Sequence, residues 1–241
     1  VDEPGGTLVL RAARQLTALS LQHEEGAFIG AEDDLLALLG VSRPTLRQAA
    51  KIAESEKMIS VRRGTRGGFY ATRPDVRDAV QTLNRYLRLQ GAEMKHVSVA
   101  ASIIEEAAEL ASQCDDESLS ASLAAMLVEV DRCDGAHEMA DLDTRFLQLL
   151  GKMSGNPFAE LVIGIMCSFG WSERGLVVYQ HEWQRTEAKR ELHAVGEAIL
   201  AQDGELARFS MRRRQRAIRS WMTKRNEPEL RPVAESAASN I

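Results

Sequence analysis

The stretch from Glu32 to Tyr70, EDDLLALLGVSRPTLRQAAKIAESEKMISVRRGTRGGFY, constrains the fold more than any other part of the chain. Its pattern predicts a short helix over Glu32–Leu39, a tight turn at Gly40 and a second helix over Arg43–Glu54. A two-stranded ribbon follows, Met58–Arg62 and Gly68–Ala71, with a Gly- and Arg-rich tip between its strands. Ser42 is a good N-cap, because its hydroxyl can accept from an orphan backbone N–H. Pro44 falls in the first turn, where a missing N–H costs nothing. Leu35, Leu38, Leu39, Val41, Leu46, Ala49, Ala50 and Ile52 are spaced to bury the inner face of the helix pair. This is the layout of a winged helix-turn-helix.

Arg43, Thr45, Arg47, Gln48 and Lys51 are left facing outward on the second helix. An α-helix fits the major groove of B-DNA, and Arg can bridge guanine O6 and N7 with its planar fork. Thr45 offers a methyl to thymine or a hydroxyl to phosphate. The tip holds Arg62, Arg63, Gly64, Thr65 and Arg66, three guanidinium groups on a loop whose glycines permit close backbone approach. From Arg43 to Arg73 there are eight Lys or Arg against two Glu, a net of +6, in a chain whose net charge is −5. A local positive stripe on an acidic protein is the electrostatic footprint of a nucleic-acid partner.

GVSRPTLRQA followed by a basic, Gly-rich wing resembles the DNA-binding domain of the GntR family of bacterial transcription regulators. The downstream SGNP (Ser154–Pro157) and the long helical region resemble its FadR subgroup, with an FCD-type effector domain. The resemblance runs from about Leu8 to about Trp221. It implies that Ser42, Arg43, Thr45 and Arg47, with Arg63 and Gly64 in the wing, touch the operator. One position departs from the family. Its first motif helix commonly reads S-E-R-E-L, whereas this chain has Ala31-Glu32-Asp33-Asp34-Leu35. Asp33 cannot contact a phosphate favourably, so that backbone contact is not expected here.

The 241 residues have room for two domains, each able to bury a core. No apolar run approaches the ~20 residues needed to span a bilayer, and no signal segment is expected. Cys114, Cys133 and Cys167 are odd in number and widely spaced, which indicates neither a disulfide framework nor a zinc site. A reducing cytosol, near the nucleoid, is the simplest compartment. Leu8 to Leu21 carries a helical stripe and His23 to Gly30 reads as a loop. The expected division is a winged domain over residues 1–74, a helical effector-binding and dimerisation domain over 75–225, and a disordered tail over 226–241. A linker helix, Val76–Leu89, opens the second domain with Val76, Val80, Leu83 and Leu87 on one face. Six further helical segments follow: Val99–Ser112, Glu117–Cys133, Glu138–Met153, Pro157 to about Ser172, Trp183–Ala201 and Glu205–Lys224. With no strand among them, they make an all-α antiparallel bundle.

Many FCD domains hold a divalent metal with one Asp and three His, the first two four residues apart on one helix face. By that resemblance the four positions are Asp143, Leu147, Leu192 and Arg214, and an Arg that can bind a ligand carboxylate maps to Ser102. Only Asp143 is a ligand, so no metal or other cofactor is expected. An Asp143–Arg214 ion pair is the natural substitute, since a buried Asp needs a partner. His193 lies one residue from the second His position, but the apolar period through Leu192, Val195 and Ile199 turns Leu192 inward. The implied effector is an apolar or amphipathic organic molecule, an acid if it uses Arg214, with Trp171, Tyr179 and Trp183 candidates to line or lid its pocket. The basic run Arg208–Arg219 on the last helix reads as a solvated face. No nucleophile–base pattern points to an enzyme. The sequence reads as a ligand-responsive repressor that binds a short palindrome as a homodimer. A ligand-blind constitutive repressor and a metal-dependent helical protein are the alternatives.

Overall fold

The cap and turn residues place the helix-turn-helix where the sequence requires it. The structure, a computed structural model, describes residues 8–64, 67–92, 100–168 and 178–223. Helix α1 spans Leu8–Leu21, and the motif itself is α2 (Glu32–Leu39) and α3 (Arg43–Ser55). Gly40 closes α2 at φ 63°, a left-handed conformation that strains any side chain, and donates its N–H to the Leu36 carbonyl at 3.0 Å. Ser42 starts α3 by accepting from the Thr45 N–H at 3.4 Å. Ser42→Ala is expected to lower the stability of this unit by about 1 kcal/mol in urea titration. An unchanged midpoint would mean that the cap contributes nothing. Ala12, Ala13 and Leu16 of α1 join Leu35, Leu46 and Ala49 in one buried cluster. Leu38 departs from the expected inner face. Leu35 and Leu39, one turn apart, are buried, and Leu38 is turned out at 64% exposure.

Three short strands complete this unit: β1 (Phe28–Gly30), β2 (Ile59–Arg62) and β3 (Gly68–Ala71). They form one antiparallel sheet in the order β1–β3–β2, with Arg62 opposite Gly68 at the tip. The ribbon is thus three-stranded, where sequence reasoning expected two strands and a loop over His23–Gly30. Strand β1 has too few residues to show alternation. It is held by pairing Phe28 with Tyr70, whose rings meet edge-on with centroids 5.4 Å apart. Arg73 ties the sheet back to α1, donating to the Ser20 carbonyl at 3.0 Å and the His23 carbonyl at 2.6 Å. It was counted in the positive stripe, but its guanidinium serves the fold.

By contacts the chain divides into two compact units, Val1–Ala79 and Val80–Ile241, the division falling within α4 (Val76–Leu89). Of the expected α4 face only Val80 is fully buried, joined by Asn84, while Leu83 is 37% exposed. Val80 packs against Gly164, where a Cβ would come within 2.8 Å of the valine methyl. The second unit continues with α5 (Ala101–Ala111), α6 (Glu117–Arg132), α7 (Ala136–Met153), α8 (Pro157–Ser168), α9 (Glu182–Leu200) and α10 (Gly204–Thr223). Asp116 caps α6 by accepting from the Ser118 and Leu119 N–H groups at 2.8 and 3.2 Å. The SGNP turn acts in the same way, with Asn156 Oδ1 accepting from Phe158 and Ala159 at 3.0 and 3.3 Å ahead of α8. Helix α10 packs on α5 and α9, and α7 packs on α5, α6 and α8. Phe146, Leu150, Ile163, Leu192 and Met211 form the centre of the core. The expected disordered tail lies outside the described residues.

Candidate functional site

The first candidate site is the outer face of α3 with the wing. Arg43, Arg47, Gln48 and Lys51 are all exposed, because the small and apolar residues between them face inward. A groove runs between α3 and the wing, with Arg47, Lys51, Arg62, Arg63 and Gly64 on its walls. Arg62 lies over the Tyr70 ring, 4.0 Å from its centroid, a cation–π contact that steadies a long side chain at the tip. Ser42 and Thr45 are partly committed to the fold, their hydroxyls sharing a 2.8 Å hydrogen bond at the cap. Thr65 and Arg66 lie outside the described residues.

The acidic start of α2 reaches this face. Asp33 pairs with Arg43 at 2.7 Å, and Glu32 pairs with Arg47 at 3.1 Å. Sequence reasoning identified Asp33 as an unfavourable neighbour of phosphate and missed that it holds an arginine. The signal is weak, because the pairs bridge residues ten and fifteen apart across the helix-turn-helix angle.

The second candidate site lies in the helical unit. Asp143 on α7 is completely buried and forms an ion pair with Arg214 on α10, which is 2% exposed. The Tyr179 hydroxyl donates to the other carboxylate oxygen at 2.9 Å. Burial lowers the Arg214 guanidinium to about 10, which leaves it charged at neutral pH. Burial raises the Tyr179 phenol, so it stays a neutral donor. Beside the pair is a cavity of about 90 Å³, almost wholly apolar, with Leu147, Met166, Cys167, Arg214, Gln215 and Met222 among its walls. Burial pushes the Cys167 thiol up to about 12, so it is an apolar wall rather than a nucleophile.

Of the five predicted effector residues, Leu147 and Arg214 line this cavity and Asp143 lies behind Arg214. Leu192 is fully buried in the core instead, and Ser102 faces outward from the first turn of α5, where Ala101 and Ile104 supply the wall. Tyr179 is neither lining nor lid, being committed to Asp143. Trp183 is 54% exposed and meets Trp221 edge-on, and Trp171 lies outside the described residues.

A domain model, the FCD domain, matches residues 97–217. The chain belongs to the FCD-domain family. With a winged helix-turn-helix ahead of that domain, it is a GntR-type transcription regulator with the layout of the FadR subgroup. Among solved structures, a Streptococcus agalactiae GntR protein is 18% identical. The match covers 88% of this chain and 99% of that one, with a TM-score of 0.62. McbR/YncC of E. coli is also 18% identical, over 92% of this chain and 100% of that one, at a TM-score of 0.42. A Listeria monocytogenes protein, Lar, is 18% identical over 93% and 100%, at 0.46. At 18% identity the likeness to the Streptococcus agalactiae protein is one of fold. No curated protein matches the sequence significantly.

At the four positions that the resemblance assigns to metal ligands, the side chains do not suit a divalent ion. Leu147 and Leu192 offer no lone pair, and Arg214 is a cation. His193 is turned away, its Nε2 2.8 Å from Asp131 on α6. Among the described residues no group of three or more His, Cys, Asp or Glu side chains is placed to hold a metal. Nor is any described helix long and apolar enough to cross a membrane. The basic run on α10 is largely balanced within the domain. Arg208 pairs with Glu106 and Glu109 at 3.1 and 2.6 Å, Arg212 with Glu105 at 2.8 Å, and Arg213 with Glu191 at 2.8 Å.

Proposed function

We propose that this FCD-domain regulator is a ligand-responsive repressor. It binds a short palindromic operator as a homodimer, placing one α3 in the major groove of each half-site. A small organic molecule in the helical unit shifts the equilibrium between operator-bound and released forms. Arg43 and Arg47 read bases, and Arg62, Arg63 and Gly64, with Thr65 and Arg66, hold the backbone. The observation that carries the sensing half is the Asp143–Arg214 pair. It puts a neutralised couple at two of the four positions that the resemblance assigns to metal ligands, and an apolar cavity lies beside it. A metal-free pocket for a metabolite is the simplest use of that arrangement. The cytoplasm is the compartment in which such a protein meets its operator.

A thermal-shift screen tests this reading. Acids, acyl-CoA thioesters and aromatic metabolites form one panel, zinc and nickel the other. An organic compound is expected to raise Tm and to change affinity for an operator selected in vitro, since a ligand that binds only the folded state stabilises it. Dialysed protein is expected to show no shift with either metal. Stoichiometric zinc or nickel would overturn the metal-free pocket. If no metabolite moves both quantities together, the protein is a constitutive repressor.

A further inference from the structure

Two polar atoms on residues of the cavity wall are buried without hydrogen-bond partners: Arg214 Nε, a donor, and Gln215 Oε1, an acceptor. Both residues line the same small apolar space. The Gln215 amide is oriented by its other end, since Nε2 donates to the Ala101 carbonyl at 3.1 Å, which leaves Oε1 as the unused atom. Buried groups of this kind are usually paired, so an unpaired donor and acceptor at one cavity describe the partner that suits them. Its polar group must both accept and donate. A hydroxyl does both, whereas a carboxylate cannot donate and would lie beside a second anion, Asp143. The charge of Arg214 is already met by Asp143, and the other cation of the wall, Arg219, is solvent-exposed, so the described wall offers an acid no buried cation without a counter-charge. The apolar walls, among them Ile104, Leu147, Met166, Ile218 and Met222, favour an aliphatic body. A volume of about 90 Å³ is several times the ~10–15 Å³ of cavity space that one water needs, which suits a fragment of a few carbons.

We infer that the cavity takes a small neutral molecule, or the end of a larger one, bearing a hydroxyl on an apolar stem. The hydroxyl accepts from Arg214 Nε and donates to Gln215 Oε1. This rests on the effector reading above and narrows it, because it replaces the acid that Arg214 suggests from sequence with an alcohol.

The test compares three probes on the full chain: 1-butanol, its isomer diethyl ether, which accepts but cannot donate, and the anion butyrate. Methyl-¹³C methionine labelling reports at the cavity through Met166 and Met222. Their signals are assigned with Met→Leu variants. Saturable shifts of both methyls with 1-butanol are expected, at an affinity about fivefold to tenfold above that of the other two, the worth of one hydrogen bond. Gln215→Leu is expected to reduce butanol affinity to that of ether. The isomer comparison needs no variant, so it stands even if Gln215→Leu fails to fold. Butyrate binding as tightly as butanol would overturn the neutral-ligand inference and leave the effector reading intact, as would equal affinity for ether. If no probe gives a saturable shift, the space holds only water, and the effector reading at this cavity falls with the inference.

Discussion

Replacing Asp143 by Leu while Arg214 is kept will destabilise the helical unit by about 3–5 kcal/mol, because it leaves a buried guanidinium without its counter-charge. The two side chains are 0% and 3% exposed, so solvent cannot stand in for the missing partner. The same change removes the acceptor of the Tyr179 hydroxyl, itself fully buried, which adds to the loss. Arg214→Met alone will cost a comparable amount for the converse reason. The combined variant Asp143→Leu, Tyr179→Phe, Arg214→Met removes together the three polar groups that the described residues bring to the cluster. It is expected to come back to within about 1 kcal/mol of the parent, or to exceed it, since a buried ion pair often contributes less than apolar side chains of similar volume. Urea unfolding of the single, double and triple variants gives the coupling energy directly. Additive losses would show that the three groups do not act as a unit. A small loss for the Asp143→Leu single variant would show that water reaches Arg214.

This cluster also marks how far the sequence can be read. An Asp–Arg pair across the bundle was legible because both residues fall at positions that a related domain fills with converging ligands, and a buried charge demands a partner. Tyr179 was seen only as a candidate pocket aromatic, because nothing in a helical pattern says where a phenol oxygen will point. Ser102 was misplaced for a related reason. Sequence put a side chain on the right helix turn, but the rotation of α5 that exposes Ser102 and gives the wall to Ala101 and Ile104 is set by packing on α7 and α10. Strand β1 went unseen because three residues carry no period and are recruited by β3 alone. The helix-turn-helix itself was readable nearly to the residue, because cap, proline, glycine turn and apolar spacing are local signals that agree. Leu38 escaped that agreement. Leu35, Leu38 and Leu39 share a helical face by spacing, but the packed stripe is turned toward Leu36, which is partly buried against the same cluster, and Leu38 is left at its exposed edge.

Arg47→Ala is expected to weaken binding to a selected operator by about 1–3 kcal/mol and to relax base preference at one position of each half-site. The same substitution will change affinity for random duplex much less, because the lost contact is to a base edge. Arg43→Ala should behave alike at a neighbouring position. The acidic partners of these arginines alter the second half of the experiment. In free protein Asp33 and Glu32 hold Arg43 and Arg47, but the arginine side chains are 59% and 67% exposed, so each pair is worth only about 0–1 kcal/mol and opens readily for DNA. Asp33 itself is 77% exposed beside the proposed reading face, where its charge would oppose a phosphate backbone. Asp33→Ala is therefore expected to raise affinity for DNA of any sequence. Asp33→Arg, which restores the residue common in the family, should add one phosphate contact and steepen the slope of log K against log salt by about 0.9. Fluorescence anisotropy with operator and random duplexes across a salt series separates these effects. A steeper slope with unchanged base preference would define Asp33 as a residue that lowers non-specific binding. An unchanged slope would mean that the start of α2 stands clear of the backbone, and operator affinity untouched by Arg47→Ala would move the reading face elsewhere on the domain.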